Sequence, residues 1–569
     1  MFMYMARGWL MLAILAMQHL VPAFAMFAPV NSMGRMRQLS HSMRHSIAPA
    51  DSKDKFSVVS HTFSQTVDHF GTDGRRFSQT YFVGDSYYVA GRPVIMLIQG
   101  EAPATDAFLT AGLVKEMASH FGALVVSLEH RFYGASMPTD DFTPASLSLL
   151  TTRQAIADIL EFKKALPSLY PNYTLTDNTK WIAVGGSYPG VLAAILRQKY
   201  PNEFHAAHAS SAPVEMLVDF WRFAYSIDEA IPSFPEESGS TACAQGWAET
   251  VKQFDAVIDG YIATNNTAGL ESFRKRFWMD KVENLGDFTS AVTAVLGSSA
   301  MYGPGGSTWQ KLDNGTNVSW IKAVCSKVYY PAFTNPAATP SERLDALADL
   351  IVTNLQKQQM YSGSDDPYLA GNYSSTLIAT DTSILNDALP WAQQYCTEFG
   401  YFQTTVPQEH WISGYSPYSK YLTVDYYTWS CNTMLGRADK TTLPNVNATN
   451  EMYGGLNMDE TRIYWVNGRY DPWHWLSPYD ASLVPNPSGQ SWLMLPQGYH
   501  CSDLGMSAED AHFANMTKVW EGWLPDIVPS SNGAAAAVPT SKKSFGVKTF
   551  QFNALFSAII LWTVTVSIY

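Results

Sequence analysis

One stretch constrains this chain more than any other: Trp181-Ile182-Ala183-Val184-Gly185-Gly186-Ser187-Tyr188-Pro189-Gly190, followed by Val191-Leu192-Ala193-Ala194-Ile195-Leu196-Arg197. An apolar run, two glycines, a serine and then a helix-like segment read as strand, sharp turn and helix, with Ser187 at the tip. The glycines are needed because a Cβ at those positions would collide across the strained turn. The turn pushes the serine oxygen clear of the sheet. Gly190 comes one place late for a G-x-S-x-G pattern, and Pro189 stands where the last small residue usually does. A chance Gly/Ser turn can look the same, so the remainder of the chain has to decide.

The surroundings favour a parallel sheet. Pro93–Ile98 and Ala123–Leu128 are continuous apolar runs, typical of strands buried on both faces. Thr152–Leu166 carries helical spacing between the second run and the serine strand. Ahead of them, Phe63–Phe70 and Phe77–Phe82 read as two strands joined through Gly71-Thr72-Asp73-Gly74. The alternation fades from about 216 to 425, a segment rich in Trp, Tyr and Phe with helix-like stretches such as Ser341–Gln358. It resumes with Arg462–Val466 and Ser491–Pro496, and Ala508–Trp523 reads as a closing helix.

Catalytic groups in such sheets sit at the carboxyl ends of strands. Gln99-Gly100-Glu101, Glu129-His130-Arg131 and Ser187 fall there, as do Asp471 and His500 after the two late strands. A serine hydroxyl needs an imidazole base, and the imidazole needs a carboxylate to fix its tautomer. The order Ser187, Asp471, His500 is that of the α/β-hydrolase fold, here with an inserted, mainly helical cap domain. The expected oxyanion donors are the backbone N–H of Tyr188 and one from Gly100 or Glu101. His130 is read as structural, and Asp503 as a weaker candidate for the acid than Asp471.

Bulk properties narrow the class. At 569 residues the chain exceeds one ordinary domain, and 46% hydrophobic content suits a packed core. A net charge of −13 argues against nucleic-acid binding. No Cys-x-x-Cys occurs among the 5 cysteines, which argues against a zinc site; no metal or other cofactor is expected. Arg7, an apolar run over Trp9–Met17 and Ala23-Phe24-Ala25 predict a signal peptide over 1–25. A leader over 26–55 has no periodicity. The hydrolase domain is expected over 56–215 and 426–528, with the cap over 216–425. The segment 529–569 reads as a spacer and hydrophobic tail, a GPI signal attaching near Asn532 or else a membrane span. Sequons at Asn172, Asn265, Asn314, Asn317, Asn372, Asn447 and Asn515 suit the secretory route, with the cell surface, the exterior or a lysosome or vacuole as destination.

Several separated motifs resemble those of the serine carboxypeptidase S28 family: Gly185–Gly190, Glu129–Gly134, Cys396-Thr397-Glu398-Phe399-Gly400-Tyr401-Phe402-Gln403-Thr404, Asn467–Trp473 and Gly498–Leu504. The resemblance runs from about 60 to 525. It implies Ser187, Asp471 and His500 as triad, exopeptidase cleavage on the carboxyl side of proline, and Trp473 lining an aromatic slot for the ring. It also implies proline-containing peptides as substrates and pairing into homodimers. Glu398 is the candidate for contact with the peptide's end: a carboxylate there would hold an amine, whereas a carboxypeptidase would rather present a cation. Two departures are Pro189, where a glycine is usual, and Cys501, where a second histidine is frequent. Alongside this resemblance, Cys243–Cys325 and Cys396–Cys431 are expected as disulfides, with Cys501 free beside His500. A lipase or esterase on the same scaffold, and an inactive surface binding protein, remain open at this stage.

Overall fold

The computed structural model describes residues 57–233, 240–280, 282–303, 310–311, 317–318, 320–362 and 388–527. The expected signal peptide, leader and hydrophobic tail, and the sequons at Asn314 and Asn372, lie outside the described residues. Among the described residues no helix is long and apolar enough to cross a membrane.

Eight strands form one mixed sheet. In chain order they are β1 (Val58–Thr66), β2 (Arg76–Gly84), β3 (Val94–Ile98), β4 (Leu124–Leu128), β5 (Trp181–Gly186), β6 (Ala206–Ser210), β7 (Ile463–Gly468) and β8 (Ser491–Leu495). Their spatial order is β1-β2-β4-β3-β5-β6-β7-β8. From β4 onward all neighbours are parallel, while β1 and β2 form an antiparallel hairpin that extends the edge. Four helices pack the layers: α1 (Gly112–Phe121), α2 (Thr152–Leu169), α3 (Tyr188–Lys199) and α4 (Ala511–Trp523). This is the α/β-hydrolase architecture.

Why the apolar runs are continuous is visible in β3. Val94, Met96 and Ile98 face α2 and α3 through Phe162, Val191 and Ile195, and Ile95 and Leu97 face α1 and α4 through Met117 and Met516. Both faces are covered, so alternation disappears from the sequence. The first strand differs from its expected extent. It ends at Thr66, because Asp68 Oδ1 accepts the Phe70 N–H at 3.0 Å and turns the chain before Phe70. Gln154 Nε2 donates to the same oxygen at 2.6 Å and pins that turn to α2.

Between β6 and β7 the chain leaves the sheet and builds a mainly helical layer, including helices Thr241–Ala263, Leu285–Thr293, Pro340–Ser362 and Val424–Met434. Its core is aromatic: Phe254, Phe273, Phe277 and Phe288 lie with ring centroids 5.3–6.2 Å apart. That core runs unbroken into the α2–α3 face of the sheet. The structure closes Cys243–Cys325 and Cys396–Cys431 and leaves Cys501 unpaired. The second bridge fastens helix Val424–Met434 to the segment around Glu398, so that helix belongs with the cap layer and the sheet returns only at Ile463.

Candidate active site

Ser187 sits between β5 and α3 with φ 62° and ψ −133°. That region is nearly closed to residues with a side chain and costs on the order of 1–3 kcal/mol. The fold sustains it with two backbone bonds, Ser187 N–H to Ser210 O at 2.9 Å and Val191 N–H to Ser187 O at 3.0 Å. The preceding glycines keep the turn tight, Gly185 against backbone and Gly186 against side chains. A Cβ on Gly185 would lie 2.2 Å from Pro189 O, and one on Gly186 would lie 2.8 Å from Cys501 Sγ. The second clash shows how near the His500 loop comes to the elbow.

Asp471 follows β7 and caps a short 3-10 turn. Its Oδ1 accepts the Trp473 N–H at 3.0 Å, and its Oδ2 accepts from His500 Nδ1 at 2.9 Å. Both side chains are almost fully buried. With Nδ1 donating to the carboxylate, Nε2 is the nitrogen left for chemistry, and it has no hydrogen-bond partner among the described residues. Burial pulls the imidazolium down, but the Asp471 carboxylate, helped by Cys501, more than offsets it, and His500 sits well above the ordinary histidine value. The raised value favours the imidazolium, the form His500 takes once it has accepted a proton and the form that Asp471 stabilises.

The loop after β3 lies against the elbow. A Cβ on Gly100 would come 2.5 Å from Pro189 Cγ and 3.3 Å from Tyr188 Cδ1, so only glycine lets the loop approach this closely. Tyr188 N–H opens α3 and has no preceding turn to bond to. Glu101 follows Gly100 with its side chain buried. A cavity of about 220 Å³ is lined by Gly100, Glu101, Phe108, Tyr302, His500 and Cys501, among others. Burial pushes the Cys501 thiol up, with His500 pulling the other way.

A second, narrower cavity lies beneath the cap. Trp391, Tyr395, Tyr401, Phe402, Tyr427 and Trp473 line it. The Trp473 ring stands 5.2 Å from Tyr401 and 6.3 Å from His500, so the aromatic wall adjoins the imidazole. Glu398 is placed differently from Trp473. Its Oε2 accepts the Thr152 N–H at 2.9 Å and the Thr152 hydroxyl at 2.7 Å, which ties it to the start of α2. It is not among the residues lining either cavity.

The Glu129-His130-Arg131 motif is scaffold. His130 Nδ1 donates to Arg131 O at 2.8 Å, which leaves Nε2 to accept the Tyr188 hydroxyl at 2.9 Å. Burial holds His130 down to about 4, so it stays neutral. Arg131 pairs with buried Asp158 at 2.6 Å and donates to the carbonyls of Thr66, Val67 and Leu149. Glu129 accepts the Ala104 N–H at 2.9 Å and so fastens the loop that carries Gly100 and Glu101.

Three supports escaped sequence reading. Met301 O, from the cap, accepts the His500 N–H at 2.8 Å. Ser211 Oγ accepts the Cys501 N–H at 2.9 Å. Asp503 turns inward, accepting from His208 Nε2 at 2.7 Å and Ser210 Oγ at 2.5 Å, and so moors the His500 loop to β6. Each links residues far apart in sequence, so no local pattern announces it. The sequons at Asn172, Asn265, Asn447 and Asn515 are exposed, and Asn317 lies on a short strand.

Comparison with known proteins follows the same lines. The description "Serine carboxypeptidase S28" matches residues 65–519. A Caenorhabditis elegans chain bearing a serine-protease name, K12H4.7, is 30% identical over 491 residues, covering 82% of this chain and 88% of its own. The mouse (Mus musculus) thymus-specific serine protease is 27% identical over 478 residues, covering 82% of this chain and 88% of its own. A protein of Arthroderma benhamiae named as an extracellular serine carboxypeptidase is 28% identical over 487 residues, covering 80% of this chain and 64% of its own. An elbow serine, a buried Asp–His pair and a family signature spanning most of the sequence converge: the chain belongs to the serine carboxypeptidase S28 family and is a serine-type peptidase.

Proposed function

We propose that the protein is a serine exopeptidase that cleaves peptides on the carboxyl side of proline. The observation that carries the reading is the buried Asp471–His500 pair at 2.9 Å, with Nε2 unpartnered among the described residues on a loop packed against the Ser187 elbow. In this mechanism Ser187 Oγ attacks proline's own carbonyl carbon and His500 Nε2 takes its proton. Asp471 stabilises the imidazolium. The backbone N–H groups of Tyr188 and of the Gly100–Glu101 loop hold the oxyanion. His500 then protonates the leaving amine, and water releases the acyl group by the reverse sequence. Trp473 and its aromatic neighbours form an apolar wall beside His500, and a proline ring, which has no N–H to satisfy once in peptide linkage, could pack against such a wall.

The protein is also read as a secreted or surface glycoprotein, held at the membrane by its tail or a GPI anchor and able to pair as a homodimer. Exposed sequons and two disulfides support an oxidising, glycosylating route. The test of function is digestion of proline-containing peptides read by mass spectrometry. New ends immediately after proline support the reading. Ester hydrolysis without peptide cleavage contradicts it and favours an esterase.

A further inference from the structure

Two buried glutamates flank the loop after β3, and the fold employs them unequally. Glu129 is fully engaged: Oε1 accepts from Ala104 N–H, and Oε2 from Ala135 N–H at 3.1 Å and the Ser136 hydroxyl at 2.6 Å. Glu101 is 3% exposed, yet its Oε2 has no hydrogen-bond partner among the described residues. A buried carboxylate oxygen left unpaired is costly, so folding alone gives no reason to keep one here. Glu101 lines the cavity beside the elbow with His500, Tyr302 and Phe108, and no lysine or arginine lines that cavity. Glu101 is the one carboxylate among the residues that line it, and the one imidazole there, His500, is already paired with Asp471. A cation would find an unmatched carboxylate.

We propose that the Glu101 carboxylate binds the protonated amine at the amino terminus of a peptide substrate, so that the enzyme trims short amino-terminal fragments. The inference rests on the peptidase reading above and adds which end of the peptide is held. An ammonium–carboxylate contact is a charge-assisted hydrogen bond, the strong kind in a dry site. Glu398 is the rival anchor, but its Oε2 is already held by Thr152 and it lines neither cavity. Burial pushes the Glu101 carboxyl up to about 7, with its own backbone N–H and His500 pulling it down. The titratable groups facing it are His500 from the loop after β8, Tyr188 at the start of α3 and Tyr401 from the cap. Below about 7 the carboxyl takes up a proton and loses its hold on an ammonium, so KM for such substrates rises as pH falls.

The test uses the purified full chain with Xaa-Pro-p-nitroanilide, free and N-acetylated. The wild type prefers the free amine. Glu101→Gln keeps the shape and lowers that preference by about 10- to 100-fold through KM, the loss expected for one charged hydrogen bond. Glu101→Asp, which keeps the charge, retains part of the preference. Fluorophosphonate labelling of Ser187 in every variant shows that the catalytic machinery is assembled. A Glu101→Gln enzyme with the wild-type preference overturns the proposal, as does loss of the preference in Glu398→Gln instead. Cleavage of N-blocked Xaa-Pro-Phe at its carboxyl end in place of amino-end trimming overturns this inference and leaves the peptidase reading standing. A wild-type enzyme that takes the label but cuts no proline substrate removes both.

Discussion

Two Asp–His pairs lie on either side of the same loop in different surroundings. Asp471 and His500 are joined at 2.9 Å, and Asp503 and His208 at 2.7 Å. Both pairs are buried, and each imidazole gives one nitrogen to a carboxylate. Each imidazole leaves its other ring nitrogen without a partner among the described residues, but His500 stands past the end of β8 and lines a cavity. His208 stands within β6, closed in by Tyr464 at 5.5 Å and Trp520 at 5.6 Å. Ser210 donates to Asp503, whereas no hydrogen bond joins a serine to His500 Nε2 among the described residues. In the proposed mechanism the residue types do not decide which pair acts; what decides it is standing past the strand ends, where substrate can arrive.

Mutations that treat the pairs alike should separate them. Asp471→Asn removes the charge that orients His500, and kcat should fall about 10⁴-fold in steady-state assays. The same change should move the acid limb of the pH–rate profile to lower pH. The carboxylate raises the His500 pKa, so its loss leaves the ring neutral further into acid. Asp503→Asn breaks a buried hydrogen-bonded pair, and urea unfolding should show a loss of about 3–5 kcal/mol. Its kcat in the folded protein should fall far less than that of Asp471→Asn. Equal kcat losses in the two variants would erase the distinction.

Smaller effects sharpen the picture. Replacing Cys396 and Cys431 by serine should cost about 2–4 kcal/mol in unfolding, since the bridge closes a separation of 35 residues in the cap layer. Cys501 lines the cavity beside His500 but is not hydrogen-bonded into either pair's carboxylate. Cys501→Ser should lower kcat less than about tenfold, below 1.4 kcal/mol of barrier, and should abolish inhibition by a bulky mercurial. Persistent inhibition would place the reactive group elsewhere.

The Ser187 elbow could be read from the chain because its geometry is local: consecutive residues must supply the strand, the small turn residues and the helix. Asp471 and His500 could be read because each follows an apolar strand run in the fold's order. The mooring of the His500 loop could not. Met301 O, Ser211 Oγ and the Asp503–His208 pair approach it from distant segments, and their residue types carry no periodicity. Glu398 shows the limit from the other side. Its motif is recognisable, but only the folded chain shows Thr152 donating to it at the start of α2. The end of β1 was also hidden, because the Asp68 turn competes with an apolar pattern that would continue the strand.

The central claim is that Ser187 is the nucleophile and that the Asp471–His500 pair activates it. The most direct measurement is stoichiometric fluorophosphonate labelling followed by peptide mass mapping of the wild type, Ser187→Ala and His500→Ala. The account predicts one label per chain on Ser187, none in Ser187→Ala, and labelling slowed at least about 10³-fold in His500→Ala. A label on another serine, or wild-type labelling and peptide cleavage in Ser187→Ala, would contradict it.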